Sequence, residues 1–191
     1  MEIALVEFMN GQLKQTTSTF HRYMYDQISW ESRMFGLVGP RGVGKSTMIL
    51  QYIKEHQAER RMLYVAADHL YFSSHTLVEI VDEFAKEGGE QIFIDEIHKY
   101  ENWSRELKQI HDSHPDMKVG FTGSSVLDIY KGYSDLSRRA PIFMMQGLSF
   151  REYLALFHDI ETPVYSLDDI LGQQARLDAV SHPLPLFREY L

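Results

Sequence analysis

The segment Gly39–Ser46 has residue types and spacing that could bind a phosphate group. Its letters, Gly-Pro-Arg-Gly-Val-Gly-Lys-Ser, match the pattern G-x-x-x-x-G-K-S/T at every fixed position. Glycines let successive backbone N–H groups turn toward a phosphate, and a helix that begins at the loop adds the positive end of its dipole. We therefore predict a nucleotide-binding loop made of Gly39, Pro40, Arg41, Gly42, Val43, Gly44, Lys45, Ser46 and Thr47.

Three side chains at the end of this loop have separate predicted roles. Lys45 would reach the β- and γ-phosphates, Ser46 would be a ligand of Mg²⁺, and Thr47 would lie near the α-phosphate. The alternative is an ordinary corner between a strand and a helix, without a ligand.

A pair of carboxylates, Asp95 and Glu96, follows the apolar run Gln91–Ile94. Mg²⁺ keeps several waters and takes few carboxylates, so we expect Asp95 to hold the ion through water. Glu96 is placed to orient and polarise a water molecule that attacks the γ-phosphate. Alone, the pattern also fits a strand that ends at the protein surface.

The next apolar run ends in hydroxyl groups, in the sequence Thr122-Gly123-Ser124-Ser125. A polar group here would lie beside the γ-phosphate, and Ser124 is the preferred candidate. These hydroxyls could instead cap the following helix. His98 could contact the γ-phosphate or the attacking water, or be an ordinary loop histidine.

Four or five short apolar runs alternate with helical patterns along the chain, which predicts the α/β class with a buried, mostly parallel sheet. Helical patterns cover residues 13–30 and the segment around 126–130, among others. The predicted strands are Met34–Val38, Met62–Ala67, Gln91–Ile94 and Lys118–Thr122, and Pro141–Gln146 is a candidate for a fifth.

Composition limits the classes of protein to consider. The chain has 191 residues, a net charge of −8 and no cysteine, which removes disulfides, thiolate nucleophiles and Cys-ligated metals. The lack of cysteine favours a reducing compartment, so we expect a cytoplasmic protein. No apolar run approaches the roughly 20 residues that a membrane helix needs, so we expect no membrane partner. The acidic balance does not favour a nucleic-acid partner. We divide the chain into a helical lead-in, 1–30, and a nucleotide-binding domain, 31–191.

The order of the motifs resembles the ATP-binding domain of bacterial and archaeal AAA-superfamily ATPases, a group often joined to a nuclease-like C-terminal domain. The segments that carry this resemblance are Gly39–Thr47, Ile94–His98, Thr122–Ser125, Leu136–Arg139 and Leu148–Leu154.

The resemblance implies a P-loop NTPase three-layer αβα sandwich with a mostly parallel five-stranded sheet whose loop follows the central strand, and it implies ATP and Mg²⁺ as ligands. The strand Met62–Ala67, inserted between the two nucleotide motifs, and Glu96 after Asp95 resemble the additional-strand ATPases that use a catalytic glutamate. A further domain is expected after Leu191, so the chain would be part of a longer protein.

Arg138 and Arg139 are candidates for an arginine finger on the strength of the same resemblance, either within the chain or from a neighbouring subunit of a homo-oligomer. A guanidinium donates in a bidentate manner to phosphate oxygens. The alternative is a solvated basic turn before a strand.

The predicted activity is hydrolysis of ATP to ADP and phosphate, with Glu96, Lys45, Ser124 and one of the two arginines as the acting groups. One alternative is a nucleotide-dependent switch with little hydrolysis, and another is a small-molecule kinase. Two weaker hypotheses remain open: a metal site at His111, Asp112, His114 and Asp116, and adenine packing against Arg22, Tyr23 or Trp30.

Overall fold

In a computed structural model, the described residues are 3–125, 129, 136, 138–174, 180 and 182–191. They divide into two compact units, Met1–Gln146 and Gly147–Leu191. Most of the predicted helix around 126–130, and Ser137 of the Leu136–Arg139 motif, lie outside the described residues. The assignment of 1–30 as a lead-in and 31–191 as one nucleotide-binding domain stays a prediction.

The first unit contains a five-stranded sheet in which every pairing is parallel. The four predicted strands and the candidate fifth all form, because both faces of a parallel sheet are covered and its strands can be continuously apolar. This confirms the predicted α/β class. The strands are β1 (Met34–Val38), β2 (Met62–Ala66), β3 (Gln91–Asp95), β4 (Lys118–Gly123) and β5 (Ile142–Met144).

The strand order is β2-β3-β4-β1-β5, so the central strand is β4. The expectation that the loop follows the central strand is wrong: it follows β1, which lies next to the edge strand β5. In the sheet, β4 lies between β1 and β3. Strand β2 lies between the two nucleotide motifs along the sequence, but in the sheet it forms the edge opposite to β5. The hydroxyl-rich end of β4 is thereby brought between the loop and the carboxylates.

Alternate residues of the strands enter two separate hydrophobic clusters. In β1, Phe35 and Leu37 belong to one cluster, and Met34 and Val38 belong to the other. Successive side chains of a strand point to opposite faces, so helices cover both faces in three layers. The first unit has the helices α1 (Ile3–Gln15), α2 (Lys45–His56), α3 (Leu77–Lys86) and α4 (Trp103–Ser113).

The predicted helix over 13–30 is wrong over most of its range. Helix α1 ends at Gln15, and a 3₁₀ turn at Tyr23–Gln27 is the only helical element in the rest of the segment. Residues 16–28, which we call the strap, run along α2, where the Gln51 side chain donates to the carbonyls of Thr17 and Phe20, each at 2.8 Å. These two strap carbonyls accept hydrogen bonds from a side chain of α2, whereas in an α-helix they would accept from backbone N–H groups four residues further along the strap itself.

The second unit has three helices among its described residues: α5 (Phe150–His158), α6 (Leu167–Leu171) and α7 (Pro183–Tyr190). The rings of Phe150 and Phe187 meet edge-on, with centroids 5.2 Å apart, which joins α5 to α7. Among the residues that the structure describes, no helix is both long enough and apolar enough to span a membrane.

Candidate functional site

A polar cavity of about 400 Å³ opens at the carboxyl ends of β1, β3 and β4. Parallel strands all end at the same edge of their sheet, so the residues that follow them converge there. The lining residues are Arg41, Gly42, Gly44, Lys45, Ser46, Thr47, Asp68, Glu96, His98, Lys99 and Ser124.

The loop between β1 and α2 depends on glycine at two positions with left-handed backbone. Gly42 has φ +83° and Gly44 has φ +98°, a region that residues with a Cβ rarely adopt. Gly44 is also the N-cap of α2 and has no side chain to accept from the first-turn amides. Those N–H groups are therefore available to an anion at the helix N-terminus.

The ammonium group of Lys45 is held inside the loop. Its Nζ donates to the carbonyl oxygens of Gly39 at 2.8 Å and Pro40 at 2.9 Å, and the residue is only 4% exposed. Burial lowers the pKa of Lys45, whereas the nearby Glu96 and Asp95 carboxylates act in the opposite direction. A bound phosphate would give this ammonium group a negatively charged partner, whereas the loop carbonyls that now accept its hydrogen bonds are neutral.

Asp95 lies buried behind the cavity, and both of its carboxylate oxygens accept hydrogen bonds. The Tyr64 hydroxyl donates to Oδ2 at 2.6 Å, and the Thr122 hydroxyl donates to Oδ1. Burial, together with the Asp95 charge and hydrogen bond, raises the pKa of Tyr64 well above its usual value, so the phenol keeps its proton. Asp95 is thus held as an oriented acceptor.

Glu96 has a left-handed backbone, with φ 51° and ψ 43°, which is unusual for a residue with a Cβ. Its N–H donates to the Thr122 hydroxyl oxygen at 3.0 Å, and this bond helps to hold the conformation. The Ser124 hydroxyl donates to Glu96 Oε2 at 2.7 Å, and His98 Nε2 lies 3.4 Å from the same oxygen. Such strained positions are concentrated at functional sites.

The residues present fit a magnesium ion by donor chemistry. Ser46 lines the cavity, and the Tyr64 hydroxyl is hydrogen-bonded both with Ser46 and with the Asp95 carboxylate, so the two oxygen donors lie close together. Magnesium prefers such oxygen donors and retains water, so a buried carboxylate that is already hydrogen-bonded can act through bound water. Ser46 and Asp95 are the residues that would hold the ion.

Most of the predicted site residues come together in the first unit. Lys45, Ser46, Glu96 and Ser124 line one cavity, and Asp95 lies behind them. Of the predicted loop, Gly39, Pro40 and Val43 do not line the cavity, whereas the other loop residues do.

Neither predicted finger residue lines this cavity. Arg138 and Arg139 precede β5, whose first residue, Ile142, pairs with Gly36, so they lie toward the edge where the strands begin. Arg139 donates to both carboxylate oxygens of Asp112, at 3.2 and 3.3 Å. A finger role for either arginine would therefore require the cavity of a neighbouring subunit.

The two weaker hypotheses find no support in the placement of their residues. Trp30 stacks on Tyr52, with centroids 4.1 Å apart, and is not among the residues that line the cavity. His111 contacts Asp112, whereas His114 contacts Asp82. Within the described part of the chain, no group of three His, Asp or Glu residues could hold a metal ion.

Sequence reasoning missed Tyr64, Asp68, Lys99 and the structural role of Arg22. Tyr64 lies in an apolar run, and only the register of β2 on β3, which pairs Tyr64 with Phe93, brings its hydroxyl near Asp95. Asp68 follows the predicted second strand, a signal that could have marked it. Nothing in the sequence marks Lys99 or the contacts of Arg22.

The fold and the site together define a P-loop nucleotide-binding domain. A family model described as "AAA domain" matches residues 31–154, which is more than half of the chain. The chain therefore belongs to the AAA family of P-loop ATPase domains. No curated protein matches the chain significantly.

Proposed function

We propose that this chain binds ATP with Mg²⁺ and hydrolyses it to ADP and phosphate. The observation that supports this most strongly is the meeting of Lys45, Ser46, Glu96 and Ser124 in one cavity at the N-terminus of α2. Membership of the AAA family supports the nucleotide-binding part of the proposal.

In this reaction a water oxygen bonds to the γ-phosphorus, and the bond from that phosphorus to the β–γ bridging oxygen breaks. The proton of the attacking water passes to the Glu96 carboxylate. Lys45 and the first-turn amides of α2 stabilise the charge on the phosphate oxygens. A bound Mg²⁺ would supply further stabilisation of that charge, held by Ser46 and by Asp95 through water.

Glu96 can act as the base because its position is fixed. The Thr122 hydroxyl holds its backbone N–H and the Ser124 hydroxyl holds its carboxylate, so the side chain is oriented before a substrate arrives. A positioned general base contributes about 10²–10⁴-fold to a rate.

Two substitutions test the proposal. Lys45→Ala should abolish binding of a fluorescent ATP analogue, whereas Glu96→Gln should keep binding and reduce phosphate release by about 10²–10⁴-fold. Glu101→Gln, an exposed carboxylate outside the cavity, is the matched control. Wild-type hydrolysis by the Glu96→Gln protein would overturn the assignment of the base.

A nucleotide-dependent switch with little hydrolysis is the second candidate. The Ser124 hydroxyl already donates to the Glu96 carboxylate, and this bond competes with an attacking water for the same oxygen. Stoichiometric retention of ATP after gel filtration, with negligible phosphate release, would support the switch. Steady phosphate release without any added acceptor supports the ATPase and contradicts a small-molecule kinase.

A cytoplasmic location and a homo-oligomer that shares an arginine finger complete the proposal. The exposed position of Arg138 leaves its guanidinium accessible to another subunit.

A further inference from the structure

We infer that Arg22 is a positioning residue of the phosphate-binding loop and that it joins this loop to the end of β5. The guanidinium donates through one terminal nitrogen to the Val43 carbonyl at 2.6 Å and through the other to the Gln146 carbonyl at 3.0 Å. Val43 lies within the loop, and Gln146 is the last residue of the first unit. The inference rests on the proposed nucleotide binding at that loop.

The bond to Val43 acts on the orientation of a peptide group. A phosphate-binding loop works by turning backbone N–H groups toward its ligand. A fixed cation that holds the Val43 carbonyl fixes the plane of the peptide between Val43 and Gly44, and with it the direction of the Gly44 N–H. Arg22 therefore orders the loop in advance, and a smaller loss of conformational entropy accompanies phosphate binding.

Arg22 is itself held in place by the helix that begins at the loop. The Gln51 side chain of α2 bonds to the carbonyls of Thr17 and Phe20 in the strap, and Met24 is buried in the core. Arg22 lies between these anchors and is only 8% exposed. The strap backbone on both sides of Arg22 is therefore held by α2 and the core.

The other end of the loop also rests on the segment that follows β5. A Cβ added to Gly39 would lie 2.1 Å from the Met145 carbonyl oxygen, and the Met145 N–H donates to the Val38 carbonyl at 2.7 Å. Met145 is fully buried. Residues 145–146 thus contact the loop directly at Gly39 and, through Arg22, at Val43.

Because of these contacts, the position of the loop and the position of residues 145–146 depend on each other. Ordering of the loop by a nucleotide should order residues 145–146 as well, and Arg22 should carry part of this effect. Arginine suits the role because its planar fork donates in two directions at once, whereas the ammonium of a lysine is a point donor.

The experiment compares Arg22→Met and Arg22→Lys with the wild type. Lys54→Met is the matched control, because the Lys54 ammonium also donates to a strap carbonyl, that of Thr16, at 2.6 Å, away from the loop. Binding of a fluorescent ATP analogue is measured by titration, and hydrogen exchange of residues 143–149 is measured with and without ATP.

Arg22→Met should raise the Kd about tenfold, the effect expected from losing hydrogen bonds to a charged group. Arg22→Lys should recover part of the affinity. ATP should slow hydrogen exchange at residues 143–149 in the wild type and in Lys54→Met, and this protection should be smaller in Arg22→Met. Thermal unfolding distinguishes a fall in stability, which both methionine variants could show, from a change in the loop.

Unchanged affinity in Arg22→Met, or ATP protection of residues 143–149 as large in Arg22→Met as in the wild type, would overturn the inference. These outcomes are separable from failure of the proposed function. If Lys45→Ala abolishes ATP binding while Arg22→Met binds normally, only the role of Arg22 is wrong. If Lys45→Ala binds ATP as the wild type does, the proposed loop function is wrong.

Discussion

The Ser124 hydroxyl donates to Oε2 of Glu96 over 2.7 Å, and this contact joins the ends of two adjacent strands. Ser124 follows β4 and Glu96 follows β3, so the proposed base and its hydrogen-bond donor come from neighbouring positions at one edge of the sheet. The contact orients the carboxylate, and it also occupies an oxygen that an attacking water could use.

Ser124→Ala should change turnover more than affinity. Loss of the hydroxyl leaves Glu96 less well oriented, so we expect kcat to fall by about 10-fold or more with a small change in KM. The matched control is Ser125→Ala, since Ser125 does not line the cavity. Steady-state phosphate release measures both parameters. A higher kcat in Ser124→Ala would instead indicate that the contact restrains Glu96.

Thr122→Val should destabilise the protein. The Thr122 hydroxyl is buried, donates to Asp95 and accepts from the Glu96 N–H, and valine can do neither. We expect the free energy of unfolding to fall by about 2–4 kcal/mol, since two buried polar groups lose a partner. Urea denaturation measures the change.

Tyr64→Phe is the matched comparison for that prediction, because it removes the donor to the other Asp95 oxygen, together with a hydrogen bond between the Tyr64 and Ser46 hydroxyls. We expect a smaller loss, about 1–3 kcal/mol. Unfolding curves for Thr122→Val that coincide with those of the wild type would contradict the proposed bonding around Asp95.

Gly39→Ala and Gly42→Ala should differ sharply, although both glycines belong to the same loop. A Cβ at Gly39 would meet the backbone oxygen of Met145 at 2.1 Å, whereas a Cβ at Gly42 would enter open space and meet only the strain of φ +83°. The strain costs about 1–2 kcal/mol. Gly39→Ala must displace backbone, so we expect a larger loss of stability and of ATP-analogue binding. Equal urea midpoints for the two variants would contradict this contact.

The stability contributed by Glu31 should depend on pH. Hydrogen bonds from Arg60 and Lys118 lower the pKa of Glu31 from 4.5 to about 2. A carboxyl group with a lowered pKa in the folded state stabilises that state above its unfolded pKa, and the contribution is lost as the pH falls through the folded value. Because the Glu31 side chain is 59% exposed, water screens the pair and the contribution at pH 7 should stay below about 1 kcal/mol.

Glu31→Gln tests this prediction. Its free energy of unfolding should lie below that of the wild type at pH 7, and the difference should narrow as the pH falls from 4.5 toward 2. Denaturation at pH 7, 5, 4 and 3.5 measures it. A difference that stays constant over this range would show that the charge of Glu31 is not responsible.

Complementation between inactive variants tests the arginine finger. Lys45→Ala lacks the nucleotide contact, and Arg138→Ala lacks the exposed guanidinium. If a neighbouring subunit supplies Arg138, a mixture of the two proteins should recover part of the ATPase activity that each lacks alone. Arg139→Ala serves as the comparison, because Asp112 engages Arg139. Full activity of Arg138→Ala alone would exclude this residue.

The sequence by itself determined the secondary structure of the sheet and the chemistry of the loop. Strands that are buried on both faces can be apolar along most of their length, so the apolar stretches at 34–38 and 92–94 mark β1 and β3 directly. The loop could be predicted because its function needs glycine at left-handed positions and a cation at a fixed spacing, which are properties of residue type.

Only the tertiary structure decided which side chains meet. The order of the strands placed β4 between β1 and β3, and so brought Thr122 and Ser124 to the carboxylates, whereas the sequence showed only that the strand at 62–67 lies between the two motifs along the chain. Register decided that Tyr64 reaches Asp95. Strand order and register arise from packing between segments distant in sequence, which local periodicity does not encode. For the same reason, the contacts of Arg22 with Val43 and Gln146 could be found only in the folded chain.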